Sequence, residues 1–165
     1  MKGKKIVIYV LIATIVIMVI GAIYYKNHKS TTPVADLIQS HLDQFAENGM
    51  QTEIKLIDFT SFEWDKVLIF NYPTTVEEIE AALDVSYNGV TDLVSGMIFV
   101  KNGKIAHMEY FDYDYIGSGK FMIYAQTEIG ASPHYRIFLA EDAIFSGVKA
   151  KSVEYAYYRL YPTRQ

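Results

Sequence analysis

The sequence predicts an α+β domain, an antiparallel sheet of about five or six strands with one or two helices on a face, preceded by a single transmembrane helix. Three observations carry that expectation. Residues 6–25 (IVIYVLIATIVIMVIGAIYY) run through twenty positions without a charge. Beyond them, segments of helical period are interspersed with short runs that read as strands. Asn102-Gly103 then joins two apolar runs, the dipeptide that takes the positive φ angles of a tight hairpin turn.

Hydrocarbon offers the backbone no hydrogen bonds, so a spanning segment satisfies its own N–H and C=O groups as a helix. About 20 apolar residues at ~1.5 Å each cover a ~30 Å bilayer core. Lys2, Lys4 and Lys5 precede the run, and Lys26 and Lys29 follow it. With the terminal amine, the amino-terminal side carries more positive charge, which places that side in the cytoplasm. A cleaved signal peptide is the rival, but its apolar region spans ~7–15 residues and ends in small residues. Here the run leaves through Ile23-Tyr24-Tyr25, and the chain has no cysteine for lipidation. Residues 1–5 therefore read as a cytoplasmic stub, 6–25 as an uncleaved signal-anchor and 26–31 as a tether. Residues 32–165 form the extracytoplasmic domain of a single-pass cell-membrane protein. The six-residue tether reaches roughly 20 Å when extended, so the domain is expected close to the bilayer.

Charge is divided sharply along the chain. Five of the fifteen Lys and Arg lie at or before Lys29, whereas all nineteen Asp and Glu follow it. The domain thus carries ten cations against nineteen anions, a net charge of −9. Such a surface disfavours nucleic acid as a partner and is repelled by anionic headgroups. The absence of cysteine rules out disulfides, thiolate nucleophiles and cysteine-ligated zinc.

Within the domain, Thr32 caps a helix with Pro33 in its first turn, where proline's missing N–H costs nothing. Val34, Leu37, Ile38, Leu42 and Phe45 recur at helical spacing, and Asn48-Gly49 closes the segment. Residues 51–59 alternate Thr52, Ile54 and Leu56 against Glu53 and Lys55, the pattern of a half-buried strand. Residues 66–70 (KVLIF) form a short apolar strand. Thr75 with Glu78 makes a capping box that opens a brief helix, with Val76, Ile79 and Leu83 inward. In the hairpin, Lys101 opposite Lys104 pairs Val100 with Ile105 and Ile98 with His107 on one face, and Phe99 with Ala106 and Met97 with Met108 on the other. Both faces are apolar, so the hairpin is expected at the centre of the sheet. Residues 120–126, 134–140 and 152–161 are further strand candidates.

Few constellations carry chemistry. His107 and Glu109 share a strand face and, with His134, would supply three metal ligands if they met at ~2.0–2.2 Å from one ion. A histidine beside Val100 and Ile105 reads more simply as a satisfied core or edge residue, and no metal ligand is assigned. Glu109, Asp112 and Asp114 precede a glycine-rich loop, but the EF-hand spacing and its closing glutamate are missing. Gly117-Ser118-Gly119-Lys120 lacks both the earlier glycine and the hydroxyl residue of a phosphate loop. No cofactor and no catalytic residue follow from these patterns, and enzymatic activity is not the favoured expectation.

The aromatic content fits two readings, a sheet that buries its rings and leaves hydroxyls at the rim, or an exposed binding face. The chain holds 14 Tyr, 9 Phe and 1 Trp. Tyr155, Tyr157, Arg159 and Tyr161 alternate on one face of the last strand, and Tyr110, Tyr113 and Tyr115 lie beyond the hairpin. Tyr and Arg dominate protein-contact hot spots because they join large contact area to a polar tip. These seven residues, with Trp64, are the candidate binding positions.

One further string is Phe62-Glu63-Trp64-Asp65-Lys66-Val67, followed by Phe70, Tyr72-Pro73, Glu77-Glu78-Ile79 and the turn Val100-Lys101-Asn102-Gly103-Lys104. It resembles a group of small uncharacterised Gram-positive proteins, lipoproteins or single-pass membrane proteins, that carry an F-[DE]-W-D-K stretch, an E-E-I helix and a V-K-x-G-K turn. The resemblance covers roughly residues 60–110 and implies a location in the bacterial cell envelope. The order Tyr72-Pro73 and the missing lipobox depart from the group's pattern. In this stretch Trp64 is expected to bury its indole while Asp65 and Lys66 stay at the surface. The function expected from the whole sequence is an acidic, tyrosine-rich protein-interaction or regulatory module. Cell-wall glycan or small-ligand binding comes second, and an anchored hydrolase third.

Overall fold

The chain divides into two compact units, Met1–Thr32 and Pro33–Gln165. The computed structural model describes residues 33–46, 49–112, 120–128, 131–151 and 156–163, all in the second unit. The expected membrane helix at 6–25 lies outside the described residues, as does the Thr32 cap. Among the described residues no helix is long and apolar enough to cross a membrane.

The second unit is α+β. Its elements are α1 (Val34–Phe45), β1 (Gln51–Lys55), a 3-10 turn (Leu56–Phe59), β2 (Lys66–Phe70), α2 (Val76–Leu83), β3 (Val94–Lys101), β4 (Lys104–Asp112), β5 (Phe121–Ile123), β6 (Tyr135–Leu139), β7 (Ile144–Lys151) and β8 (Ala156–Pro162). The single sheet expected from the sequence is replaced by two four-stranded sheets, ordered β1-β7-β8-β5 and β4-β3-β2-β6. All pairings are antiparallel except β5 with β8.

The apolar strands explain the layering. β2 and β3 are buried on both faces, so their sheet needs cover on each side. On one side Leu68, Phe70, Ile98 and Val100 pack against Ile79, Leu83 and Tyr87 from α2 and the segment after it. On the other, Val67, Ile69, Met97 and Phe99 meet Phe121, Ile123, Phe145 and Leu160 of the first sheet, together with Ile38 and Leu42 of α1. The short β5 is held by Asn71, whose Nδ2 donates to Ile123 O and whose Oδ1 accepts from Ala125 N, both at 2.8 Å. One side chain thus stitches the end of β2 to the opposite sheet.

β7 is absent from the sequence expectation because its inward row reads Phe145, Gly147, Lys149 rather than a run of large apolar residues. The reason lies in α1. A Cβ on Gly147 would sit 2.9 Å from Ile54 Cγ1 and 3.1 Å from Leu42 Cδ2, so the glycine lets the helix press onto the strand. Lys149 Nζ then reaches Asp43 Oδ1 on α1 at 2.7 Å, and the Tyr158 hydroxyl donates to the same oxygen at 2.7 Å. We expect Gly147→Val to destabilise the domain by about 1–3 kcal/mol through overpacking, read as a lowered melting temperature of the full chain in mild detergent.

The hairpin turn forms as expected, with Asn102 at φ 50° and Gly103 at φ 69°. Its register does not hold beyond Val100 and Ile105. A β-bulge makes Phe99 face His107, Ile98 face Met108 and Met97 face Glu109. The extra residue, Ala106, reverses which side of the sheet every later side chain takes. Met108 thereby joins the α2-side core, and His107 and Glu109 turn to the side shared with α1. β3 is interior as expected, but β4 is an edge strand. The strand expected over 51–59 ends at Lys55, where Leu56 buries itself through a 3-10 turn. The candidate at 120–126 shortens to Phe121–Ile123.

Candidate functional site

The tryptophan stretch is structural. Trp64 is only 6% exposed, its Nε1 donates to Thr60 Oγ1 at 2.9 Å, and its ring stands edge-on to Phe99 with centroids 5.2 Å apart. Phe62 also meets Phe99 edge-on at 5.2 Å. Asp65 Oδ2 accepts from Asn102 N at 2.7 Å and Oδ1 from Lys101 Nζ at 2.9 Å, which together hold its carboxyl below the ordinary aspartate value. Lys66 Nζ donates to Leu83 O, the last carbonyl of α2, at 3.2 Å. The F-E-W-D-K string and the K-N-G-K turn are therefore two halves of one contact. Trp64 sits in the core rather than on a contact surface.

The tyrosines do not gather on one face. Tyr157, Arg159 and Tyr161 share one side of β8, as the alternation predicts, while Tyr158 and Leu160 turn into the core. Arg159 is 8% exposed, with its guanidinium 4.9 Å from the Tyr157 ring centroid and Nη1 donating to Tyr158 O. Tyr161 is half-buried and stacks on Tyr124 at 4.9 Å, and burial raises its hydroxyl above the usual tyrosine value. Tyr110 stands on the other sheet, partly exposed, its hydroxyl 3.2 Å from that of Tyr87. Tyr113, Tyr115 and Tyr155 lie outside the described residues.

The most organised polar group is one that the sequence suggested only as a metal site. Glu109 is 9% exposed, and its carboxylate accepts from Val34 N at 2.5 Å and Ala35 N at 3.1 Å. His107 Nε2 lies 2.8 Å from Glu109 Oε1, and the imidazole tilts against Phe62 with centroids 4.7 Å apart. Burial pushes the Glu109 carboxyl up, but the hydrogen bonds from His107, Val34 and Ala35 outweigh it and hold the group below the ordinary glutamate value. A carboxylate here also faces the positive end of the α1 dipole. Pro33 offers no side-chain cap, so Glu109 performs that task from 75 positions away. His134 sits before β6, at the far edge of the same sheet from β4, so His107, Glu109 and His134 do not converge. Among the described residues no three His, Asp or Glu side chains are placed to hold a metal ion. A carboxylate-oriented imidazole can act as a base, yet among the described residues its one hydrogen-bond partner is Glu109. The pair fastens α1 to the sheet.

The candidate functional site lies along α1 itself. Leu37, His41 and Phe45 form a second i, i+4 row beside the buried row Val34, Ile38, Leu42. Leu37 and Phe45, two of the residues that recur at helical spacing, are both exposed, Phe45 at 68%. Ile57 in the 3-10 turn is 50% exposed. His41 bridges Phe45 and Phe59, with ring centroids 4.8 and 5.2 Å away. Next to it lies an open groove of 350 Å³ lined by His41, Glu53, Lys55, Asp58 and Phe59. Positions 34, 37, 38, 41, 42 and 45 form the usual apolar stripe of a helix packed on a core, so nothing in the sequence marked the second row as exposed.

No protein family, curated protein or solved structure matches the chain. The functional reading therefore rests on this surface and on the charge and hydropathy of the sequence.

Proposed function

We propose that the protein is a single-pass cell-membrane protein of the bacterial envelope, anchored by residues 6–25 with its amino terminus in the cytoplasm. Its acidic extracytoplasmic domain acts as a protein-interaction or regulatory module. The observation that carries this reading is the exposed apolar side chains of α1 and of the 3-10 turn, Leu37, Phe45 and Ile57, with the charged groove beside His41. Large apolar side chains held at the surface by a rigid helix, with a polar rim beside them, have the composition of a contact surface. The uncharged run of twenty residues supports the anchor. The Trp64 stretch, which packs a core and a turn, is consistent with a scaffold whose recognition lies elsewhere.

A second reading, small-ligand or glycan binding, draws support from the groove alone. Its volume of 350 Å³ falls at the small end of ligand pockets, which span about 300–1,000 Å³. It is open and lined mainly by charged groups, which favours the protein-contact reading.

The test is photo-crosslinking in intact cells. A benzophenone amino acid placed at Phe45 or at Ile57 is expected to give one recurrent adduct. The same group at Leu139, an exposed apolar position on β6, is expected to give none. Equal labelling from all three positions, or no adduct from any, counts against the reading.

A further inference from the structure

We infer that β1 is a strand-addition edge whose occupant is an extended cationic–apolar segment of a partner protein. The inference rests on the contact surface proposed above and specifies the chemistry of what that surface takes. β1 is the outer strand of its sheet and pairs with β7 over five residues without a register shift. Among the described residues its other side has no strand partner. A flat edge of this kind presents alternate N–H and C=O groups to any chain that can lie alongside. The remaining edges are poorer templates. β4 is bulged beside its turn, β5 has three residues, and β6 carries Arg136 with no acid in the strand.

The side chains around the edge set the chemistry of the occupant. Glu53 and Lys55 of β1 are 62% and 51% exposed and lie 3.5 Å apart. Both line the groove, together with Asp58, so two acids face one lysine that is already paired. His41 and Phe59 supply the apolar wall, and Phe45 continues it. A strand laid against β1 directs alternate side chains to opposite faces. The groove beside this edge then offers Glu53 and Asp58 to basic residues of the added strand and His41 and Phe59 to apolar ones. Main-chain hydrogen bonds supply affinity in this mode, and the side-chain pockets supply selection. The net charge of −9 on the domain steers a cationic segment toward it and an anionic one away.

A second copy of this chain fits less well. Self-pairing centred on Glu53 or on Lys55 sets like charges opposite each other, which destabilises a strand pair. The register centred on Ile54 avoids this but leaves only residues 53–55 of each strand facing. Two domains of charge −9 also repel.

The experiment uses the full chain in mild detergent and a fluorescent octapeptide of alternating lysine and valine, followed by anisotropy. The peptide is expected to bind. A glutamate–valine peptide, and the lysine–valine peptide N-methylated on alternate residues, are each expected to bind roughly tenfold or more weakly. The double variant Glu53→Lys/Asp58→Lys should weaken the original peptide to a similar degree. Indifference to peptide charge, to N-methylation or to the double variant overturns the inference, as does self-association of the chain through β1 that excludes the peptide. If the double variant misfolds, the N-methylated peptide on the unaltered chain still decides the matter. Photo-adducts at Phe45 and Ile57 test the contact surface itself. Adducts present while the peptide results fail would remove this inference alone.

Discussion

Trp64→Ala is expected to destabilise the domain by about 3–5 kcal/mol, the range for truncating a buried large aromatic. Three losses combine at this position. The indole leaves a cavity against Phe99, Thr60 loses the Nε1 donor, and the loop before β2 loses the anchor that aims Asp65 at the hairpin turn. For a domain of this size each kcal/mol lowers the melting temperature by about 2–8 °C, so a fall of about 6 °C or more is expected. Trp64 is the chain's one tryptophan, which permits a check on the unaltered protein. Its emission should be blue-shifted and resistant to iodide quenching. A melting temperature within a degree or two of the starting protein, or free quenching, would return Trp64 to the binding residues.

Glu109→Ala is expected to cost about 2–4 kcal/mol. It strands the N–H groups of Val34 and Ala35 at a buried helix start, and an unsatisfied buried donor costs about 1–3 kcal/mol. Glu109→Gln should cost less, because the amide oxygen still accepts one of the two bonds. The carboxylate also predicts a pH dependence. Its folded value lies below the ordinary 4.5, so its stabilisation is complete above about that pH and is lost as pH falls through the lower folded value. Acid unfolding followed by circular dichroism should therefore show a limb below pH 4.5 that Glu109→Gln flattens. An unchanged acid limb in that variant would show that other carboxylates govern it. Hydrogen exchange offers a second readout, since the Val34 and Ala35 amides should be protected in the starting protein and exposed in Glu109→Ala.

The resemblance string acquires a physical meaning from these contacts. Phe62, Trp64, Asp65 and Lys66 meet, respectively, His107 and Phe99, Thr60 and Phe99, the hairpin turn, and the end of α2. Such a set defines a corner of the fold.

What the sequence made legible was local. The capping box at Thr75 and Glu78 forms with both of its hydrogen bonds, because both partners lie within one helical turn. Residues 66–70 form β2 without a change of boundary, since a run of bulky apolar residues admits few other placements. The Asn102-Gly103 turn follows from two residues that tolerate positive φ. The bulge at Ala106 was not legible, although it decides the fate of Glu109. Nothing in Lys104-Ile105-Ala106-His107 marks an inserted residue; it becomes favourable only because it sends Met108 toward α2 and Glu109 toward α1. β7 escaped notice for a similar reason. Gly147 and Lys149 look polar and flexible until Leu42, Ile54 and Asp43 occupy the space beside them.

The candidate surface divides along the same line. The composition of the chain by itself determined an acidic domain without thiol chemistry, behind an uncharged run long enough to span a bilayer, because charge and hydropathy add along a chain whatever its fold. Only the packed structure decided which apolar row of α1 is buried, which strand is left at an edge and which carboxylate fastens the helix. Each of those depends on what a side chain meets from residues far off in sequence. Periodicity records that a face is apolar, and the neighbouring elements determine whether anything covers it.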